Sequence, residues 1–201
     1  MPEDAALDPG GTRTAILQAT PSIVLHTQGM VTIDYSGVRA AIAGGRATIE
    51  VSPLDAGAID AIAWSGSPTH LENVVSQLRR VDAGEVAYLV LSADGLPVAK
   101  GGIDLAKEDG AGTIMQLATH PELEGLGLAT RLIAELEQRA LDRGLQRLRL
   151  AVELDEPRAL RLYEHLGYRR IGTSDASWEA EADDGARYLY STTLMEMEKS
   201  V

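Results

Sequence analysis

The stretch from Thr113 to Arg143 constrains this chain most, because it carries a strand, a glycine-rich turn and an amphipathic helix in immediate succession. Thr113 to Thr119 reads as a strand, and Pro121 ends it. Gly125, Gly127 and Ala129 are small residues at alternate positions where the helix begins. Leu128, Leu132, Leu136 and Ala140 recur at helical spacing, with Ile133 and Leu141 widening the apolar stripe. A helix start leaves backbone N–H groups without partners and carries partial positive charge. Glycines there let a ligand approach the backbone. The combination fits a phosphate cradle; taken alone, it fits a tight turn equally well.

The chain has 201 residues and is 45% hydrophobic, which predicts a globular domain with a full core plus an appendage. No apolar run approaches the ~18 residues of a membrane-crossing helix. The first residues are acidic (Glu3, Asp4) and show no basic segment before an apolar one, so no secretory signal is expected and the cytoplasm is the default location. Cysteine is absent, which removes disulfides, thiol nucleophiles and thiolate metal sites. A formal net charge of −12 disfavours nucleic acid and anionic membrane as partners and favours cationic ones, and it also serves solubility.

In chain order, residues 1 to 11 read as a frayed tail. Thr14 to Gln18, Ile23 to His26 and Met30 to Tyr35 are strand-like, and Val38 to Gly45 follows with paired glycines at its end. This segment fits a small extra sheet, a strand of the main domain or a dimer contact, and the sequence does not choose. From Arg46 the pattern is regular. Ala47 to Val51 alternates as a strand, and Ser52-Pro53-Leu54-Asp55 reads as a helix start with a serine cap. Leu54, Ala58, Ile59 and Ile62 share one face of that helix. Thr69 and Glu72 form a capping box for a second helix with Leu71, Val74, Val75 and Leu78 on one side. Glu85 to Ser92 and Pro97 to Leu105 are strands joined at Asp94-Gly95. Arg147 to Glu153 is another strand, Asp155-Glu156-Pro157 opens a helix bearing Ala159, Leu162, Tyr163 and Leu166, and Gly167 stops it. Tyr168 to Gly172 begins a strand, residues 174 to 185 read as a polar loop with Trp178 among acids, and Arg187 to Glu198 closes the chain.

Residues 155 to 168, Asp-Glu-Pro-Arg-Ala-Leu-Arg-Leu-Tyr-Glu-His-Leu-Gly-Tyr, resemble the closing signature of the GCN5-related N-acetyltransferases (GNAT). Glu124-Gly125-Leu126-Gly127-Leu128-Ala129 is similar to that family's Arg/Gln-x-x-Gly-x-Gly/Ala motif, with Glu124 in place of Arg or Gln and Glu156 in place of the usual Asn. The resemblance spans residues 46 to 199 and divides the chain into an N-terminal extension, 1–45, and a GNAT-like domain, 46–201. It implies an α/β (α+β) fold, a mixed, mostly antiparallel sheet flanked by about four helices, with the extra N-terminal segment beside it.

The resemblance further implies acetyl-CoA as cosubstrate, no metal, and transfer to a primary amine of a small molecule or peptide by direct attack in a ternary complex. Leu117, Ala118 and Thr119 would hold the pantetheine arm, and neighbouring strands would part there. Gly125, Leu126, Gly127, Leu128, Ala129 and Thr130 would offer N–H groups to the pyrophosphate, and Arg131 would add positive charge or simply stand in solvent. Glu124 would place a like charge there, at a cost on the order of 1 kcal/mol. Tyr163 matches the family's general acid, although its place on the apolar face also suits packing alone. For the general base, Glu153, Asp104 and Glu85 are strand carboxylates that could act through water, while His120 fits a turn better than catalysis. The acidic 175–184 segment suits a solvated loop or a contact to a cationic acceptor. Two other readings are a non-catalytic acyl-CoA-binding or regulatory module and an unrelated phosphate-binding α/β domain; the hairpin at Asp94-Gly95 speaks against the second. The acceptor and the oligomeric state, a homodimer included, stay open.

Overall fold

Strand β4 (Val86–Ala93) shows how the two sides of the sheet are filled. Its residues alternate between faces. Val86, Tyr88 and Val90 point into one apolar cluster with Leu54, Ile62 and Val74. Leu89, Leu91 and Ala93 point into a second, larger one with Leu132, Leu136 and Leu148. Both faces are covered, so the strand reads in sequence as a nearly continuous apolar run.

The computed structural model describes residues 22–25, 31–182 and 184–201. β1 (Ser22–Leu25) and β2 (Val31–Asp34) form an antiparallel pair and lead into helix α1 (Tyr35–Ala43). β3 (Ile49–Pro53), a 3-10 helix (Ala56–Ser65), α2 (Pro68–Leu78), β4, β5 (Leu96–Glu108) and β6 (Ala111–Thr119) follow. Then come α3 (Leu128–Leu141), β7 (Arg147–Glu153), α4 (Pro157–His165), β8 (Arg169–Glu181) and β9 (Arg187–Ser200). Among the described residues the main sheet has seven strands in the order β3-β4-β5-β6-β7-β9-β8, and only the β6–β7 pair is parallel. This is the mixed, mostly antiparallel sheet with flanking helices that the motifs imply. The tail over 1–11 and the strand read at Thr14 to Gln18 lie outside the described residues.

The turn chemistry holds where it demands positive φ. Asp94 (φ 49) and Gly95 (φ 82) both adopt it, as the tight β4–β5 turn requires. α3 buries Leu128, Leu132, Ile133, Leu136 and Ala140, while Leu141 stays 42% exposed and does not widen the stripe.

Three local readings are corrected by longer-range pairing. Ser52-Pro53 does not start a helix: β3 runs through Pro53, tolerated because β3 is an edge strand. Asp55 is the cap instead, its Oδ1 accepting from Gly57 N at 2.7 Å, and the helix it starts is 3-10. The capping box at Thr69 and Glu72 is not used. Ser67 caps α2 with Pro68 in the first turn, and Thr69 Oγ1 donates to Glu181 Oε2 at 2.8 Å. Residues 174–181 are strand rather than loop, paired from Ser174↔Leu194 to Glu181↔Arg187. The sequence left the segment before Arg46 open; its helix α1 packs against the main core, with Tyr35, Val38 and Ala41 buried.

Lys100 on β5 is fully buried at 0% exposure. Its Nζ lies 2.7 Å from His70 Nε2 and donates to the Tyr88 hydroxyl at 3.2 Å. Burial drives the ammonium down from 10.5 to about 7. Burial and the neighbouring Lys100 charge lower His70 to about 4. Between about 7 and 10.5 the unfolded chain therefore holds a proton on Lys100 that the folded chain has released, and this group's contribution to stability rises with pH across that window. Urea unfolding at pH 7, 8.5 and 10 is expected to show the wild type gaining stability relative to Lys100→Met as pH increases. A difference that stays flat would place Lys100 in an ordinary solvated state.

Candidate active site

β6 and β7 run side by side for a short distance only. They pair at Ala111↔Arg147, Gly112↔Leu148 and Thr113↔Arg149, after which β7 continues against β9 as far as Glu153↔Leu194. The β5–β6 register shifts between Lys100 and Gly102, leaving Gln116 and Leu117 opposite Gly101. Gln116 takes φ 51, unusual for a side chain of its size. A Cβ on Gly101 would meet Leu117 Cδ1 at 2.8 Å and its Cα at 3.3 Å, so the bulge needs a glycine opposite it. The bulge bends β6, and the end of the strand parts from β7.

A cleft of about 490 Å³ opens where the strands separate. Leu117, Ala118 and Thr119 form one wall. Glu124, Gly125, Gly127, Ala129 and Thr130 form the end where α3 begins, and α4 closes the other side with Glu156, Arg158, Ala159, Leu162 and Tyr163. Gly125 (φ 80) and Gly127 (φ 76) are both left-handed, which lets the chain turn sharply into α3. Gly127 is the cap residue, and among the described residues no side chain caps the helix. The first intrahelical bond in reach is Arg131 N to Gly127 O at 3.1 Å, so the N–H groups of Leu128, Ala129 and Thr130 precede the ladder.

Of the residues singled out in the sequence, the cleft gathers Leu117, Ala118, Thr119, Gly125, Gly127, Ala129, Thr130 and Tyr163. Leu126 and Leu128 turn their side chains into the core and leave only backbone for a ligand. Arg131 does not line the cleft: its Nη2 donates to Ile49 O at 3.1 Å. Glu153 stands at the end of β7, outside the lining, and accepts from the Tyr190 hydroxyl at 2.7 Å. That bond is the main reason Tyr190 is held above its usual value. Tyr163 is buried against Tyr168 with ring centroids 6.0 Å apart, and burial raises its pKa.

Three expected alternatives for the base are engaged elsewhere. Asp104 takes Arg80 at both oxygens (2.6 and 3.2 Å) and the N–H groups of Ala106 and Lys107. Glu85 pairs with Arg80 at 2.9 Å. His120 is stacked on Tyr35 at 3.6 Å, lies 5.2 Å from Trp64, and accepts the Glu122 N–H on Nδ1. Burial lowers its pKa, which fits a neutral ring holding a turn.

The sequence reading missed Arg158. Its Nη1 meets Glu124 Oε2 at 2.7 Å across the cleft mouth, from α4 to the turn before α3. The pair is exposed, and such pairs contribute about 0–1 kcal/mol. Its effect is local neutralisation of the carboxylate that departs from the motif. A cation in the first turn of a helix opposes the macrodipole. That misplacement was the available signal that Arg158 serves something across the cleft.

The profile of the acetyltransferase (GNAT) family matches residues 58–168, which include every residue lining the cleft. Solved structures share the fold at low identity. The ribosomal-protein-S18-alanine N-acetyltransferase of Escherichia coli superposes with a TM-score of 0.60 at 18% identity, covering 77% of this chain and 94% of that one. The PaiA N-acetyltransferase of Thermoplasma acidophilum, in complex with coenzyme A, gives 0.57 at 15%, covering 77% and 99%. A GNAT family acetyltransferase of Elizabethkingia anophelis with acetyl-CoA bound gives 0.57 at 12%, covering 76% and 98%. With a profile match across more than half its length and a parted sheet ending in an uncapped, glycine-led helix, the chain belongs to the GNAT acetyltransferase family.

Proposed function

We propose that the protein transfers the acetyl group of acetyl-CoA to a primary amine of a small molecule or peptide. One observation carries this reading: the free edge of β6 and the uncapped start of α3 line the same cleft, with the Tyr163 side chain on its far wall. Bound acetyl-CoA supplies an activated thioester. The backbone of Leu117, Ala118 and Thr119 holds its pantetheine arm as a neighbouring strand would and polarises the thioester carbonyl. The N–H groups from Gly125 to Thr130 take the pyrophosphate. Arg158 offers the cation on that side, while Arg131 adds only its charge at the helix surface.

In the reaction the amine nitrogen attacks the thioester carbon and the C–S bond breaks. An ammonium has no lone pair, so the amine first loses a proton; Glu153, oriented by Tyr190, receives it through water. Charge then develops on sulfur. Burial keeps Tyr163 protonated through the neutral range, and its hydroxyl donates to the departing thiolate. The nitrogen gives up its second proton as the amide forms, water carries that proton back to the tyrosine, and Glu153 releases the first one to solvent. The carboxylates of Glu124 and Glu156 in the cleft favour one other reading, a module that binds acyl-CoA without turnover.

Calorimetry with acetyl-CoA, followed by a panel of amines monitored for released CoA, tests the proposal. Binding with CoA release is expected; binding with no release across peptides, polyamines and amino acids would favour the module. Tyr163→Phe is expected to lower turnover roughly 100-fold with little change in acetyl-CoA affinity. Unchanged turnover would reduce Tyr163 to packing. Glu124→Gln removes a like charge and frees Arg158, so acetyl-CoA affinity is expected to rise roughly fivefold at low salt and less at high salt. Equal affinity at both ionic strengths would show that the ligand does not meet this charge.

A further inference from the structure

The turn that feeds the cleft is gripped from a helix outside the family-matched residues. Arg39 on α1 donates through Nη1 to Glu122 O at 2.7 Å and to Glu124 O at 3.1 Å. One turn earlier, the Tyr35 ring lies on His120 at 3.6 Å with the planes 22° apart. His120 in turn accepts the Glu122 N–H at 3.3 Å. Tyr35 and Val38 are buried in the main core, so α1 is anchored by the core as well as by its contacts with the turn.

The geometry has a direct effect on the cradle. A peptide unit is planar and trans, so its C=O and N–H point in opposite directions. Holding the Glu124 carbonyl toward Arg39 sends the Gly125 N–H away from α1. Gly125 lines the cleft. Glycine is the residue least able to hold such an orientation by itself, because it is free to occupy both signs of φ. An external grip on the preceding carbonyl removes that freedom before a ligand arrives, and ordering done in advance is not charged against binding.

We propose that Arg39 is a positioning residue for acetyl-CoA, and that the N-terminal helix α1 presets the Glu122–Gly125 turn as part of the diphosphate cradle. This rests on the cofactor reading given above. It assigns a role to a segment that the family profile does not cover.

The test is acetyl-CoA affinity by calorimetry for the wild type, Arg39→Met and Arg39→Lys, with unfolding temperature measured alongside. Arg39→Met is expected to weaken binding roughly tenfold while the unfolding temperature moves little. Arg39→Lys retains an ammonium able to donate to both carbonyls and is expected to recover most of the loss. S-acetylpantetheine, which lacks the diphosphate, serves as an inhibitor of acetyl-CoA binding, and its potency is expected to be the same in all three proteins. Equal acetyl-CoA affinity in Arg39→Met overturns the proposal. So does a loss that Arg39→Lys does not recover and that follows the unfolding temperature, because that pattern marks α1 as packing only. A wild type that fails to bind acetyl-CoA overturns the cofactor reading itself, and the two failures are thereby told apart.

Discussion

The structure depends on where one hydrogen-bond ladder stops. β6 and β7 are held together over three residue pairs and then separate, while each keeps its other neighbour. A strand edge inside a sheet would normally be closed by its neighbour, because unpaired backbone groups are costly when buried. Here the edge faces a cleft, so it is wetted or bound rather than orphaned. The bulge at Gln116, the glycine at 101 and the chain reversal through Gly125 and Gly127 all serve this opening. Removing any of them would favour continued pairing or a differently directed helix start.

Electrostatics work at short range against the charge of the whole. The chain carries a formal net charge of −12, and an anion approaching it is repelled at distance. Inside the cleft the uncapped N–H groups offer local positive charge, Arg158 offsets the paired Glu124, and Glu156 stays as a carboxylate in the lining. Away from it, carboxylates meet arginines on the surface, as where Arg149 joins Glu108 and Glu198. Of the two carboxylates lining the cleft, Glu124 is thus committed to Arg158, while Glu156 makes no capping bond to its helix.

Much of this was legible in the sequence where a single element decides its own shape. α3 announced itself because its apolar residues repeat with the helix, and Asp94-Gly95 because only a tight turn uses that pair so well. The cleft-lining residues of β6 and α3 followed from motif resemblance. What escaped depended on partners distant in the chain. The outer part of β8 does alternate, with Ala176, Trp178 and Ala180 on one face and Asp175, Ser177 and Glu179 on the other, but its acids give it the look of a loop, and its pairing with β9 is what marks it as a strand. Lys100 sits in a strand pattern that gives no hint of His70 and Tyr88 closing around it. Arg39 and the carbonyls it holds are separated by more than 80 positions, and no periodicity links them.

The β8–β9 hairpin outgrows the sheet that carries it. β9 pairs with β7 only from Leu194 onward, so among the described residues those from Arg187 to Thr193 have β8 as their sole strand neighbour. A two-stranded ribbon is weakly stable alone, and this one is tethered by Thr69 to Glu181 and by Tyr190 to Glu153. Each residue pair extends such a ribbon by about 3.3 Å, and lengthening by an odd number would turn every later side chain over. Descendants of this fold can therefore move the ribbon's tip in even steps, like a ratchet, and change what the protein reaches without touching how it grips its donor.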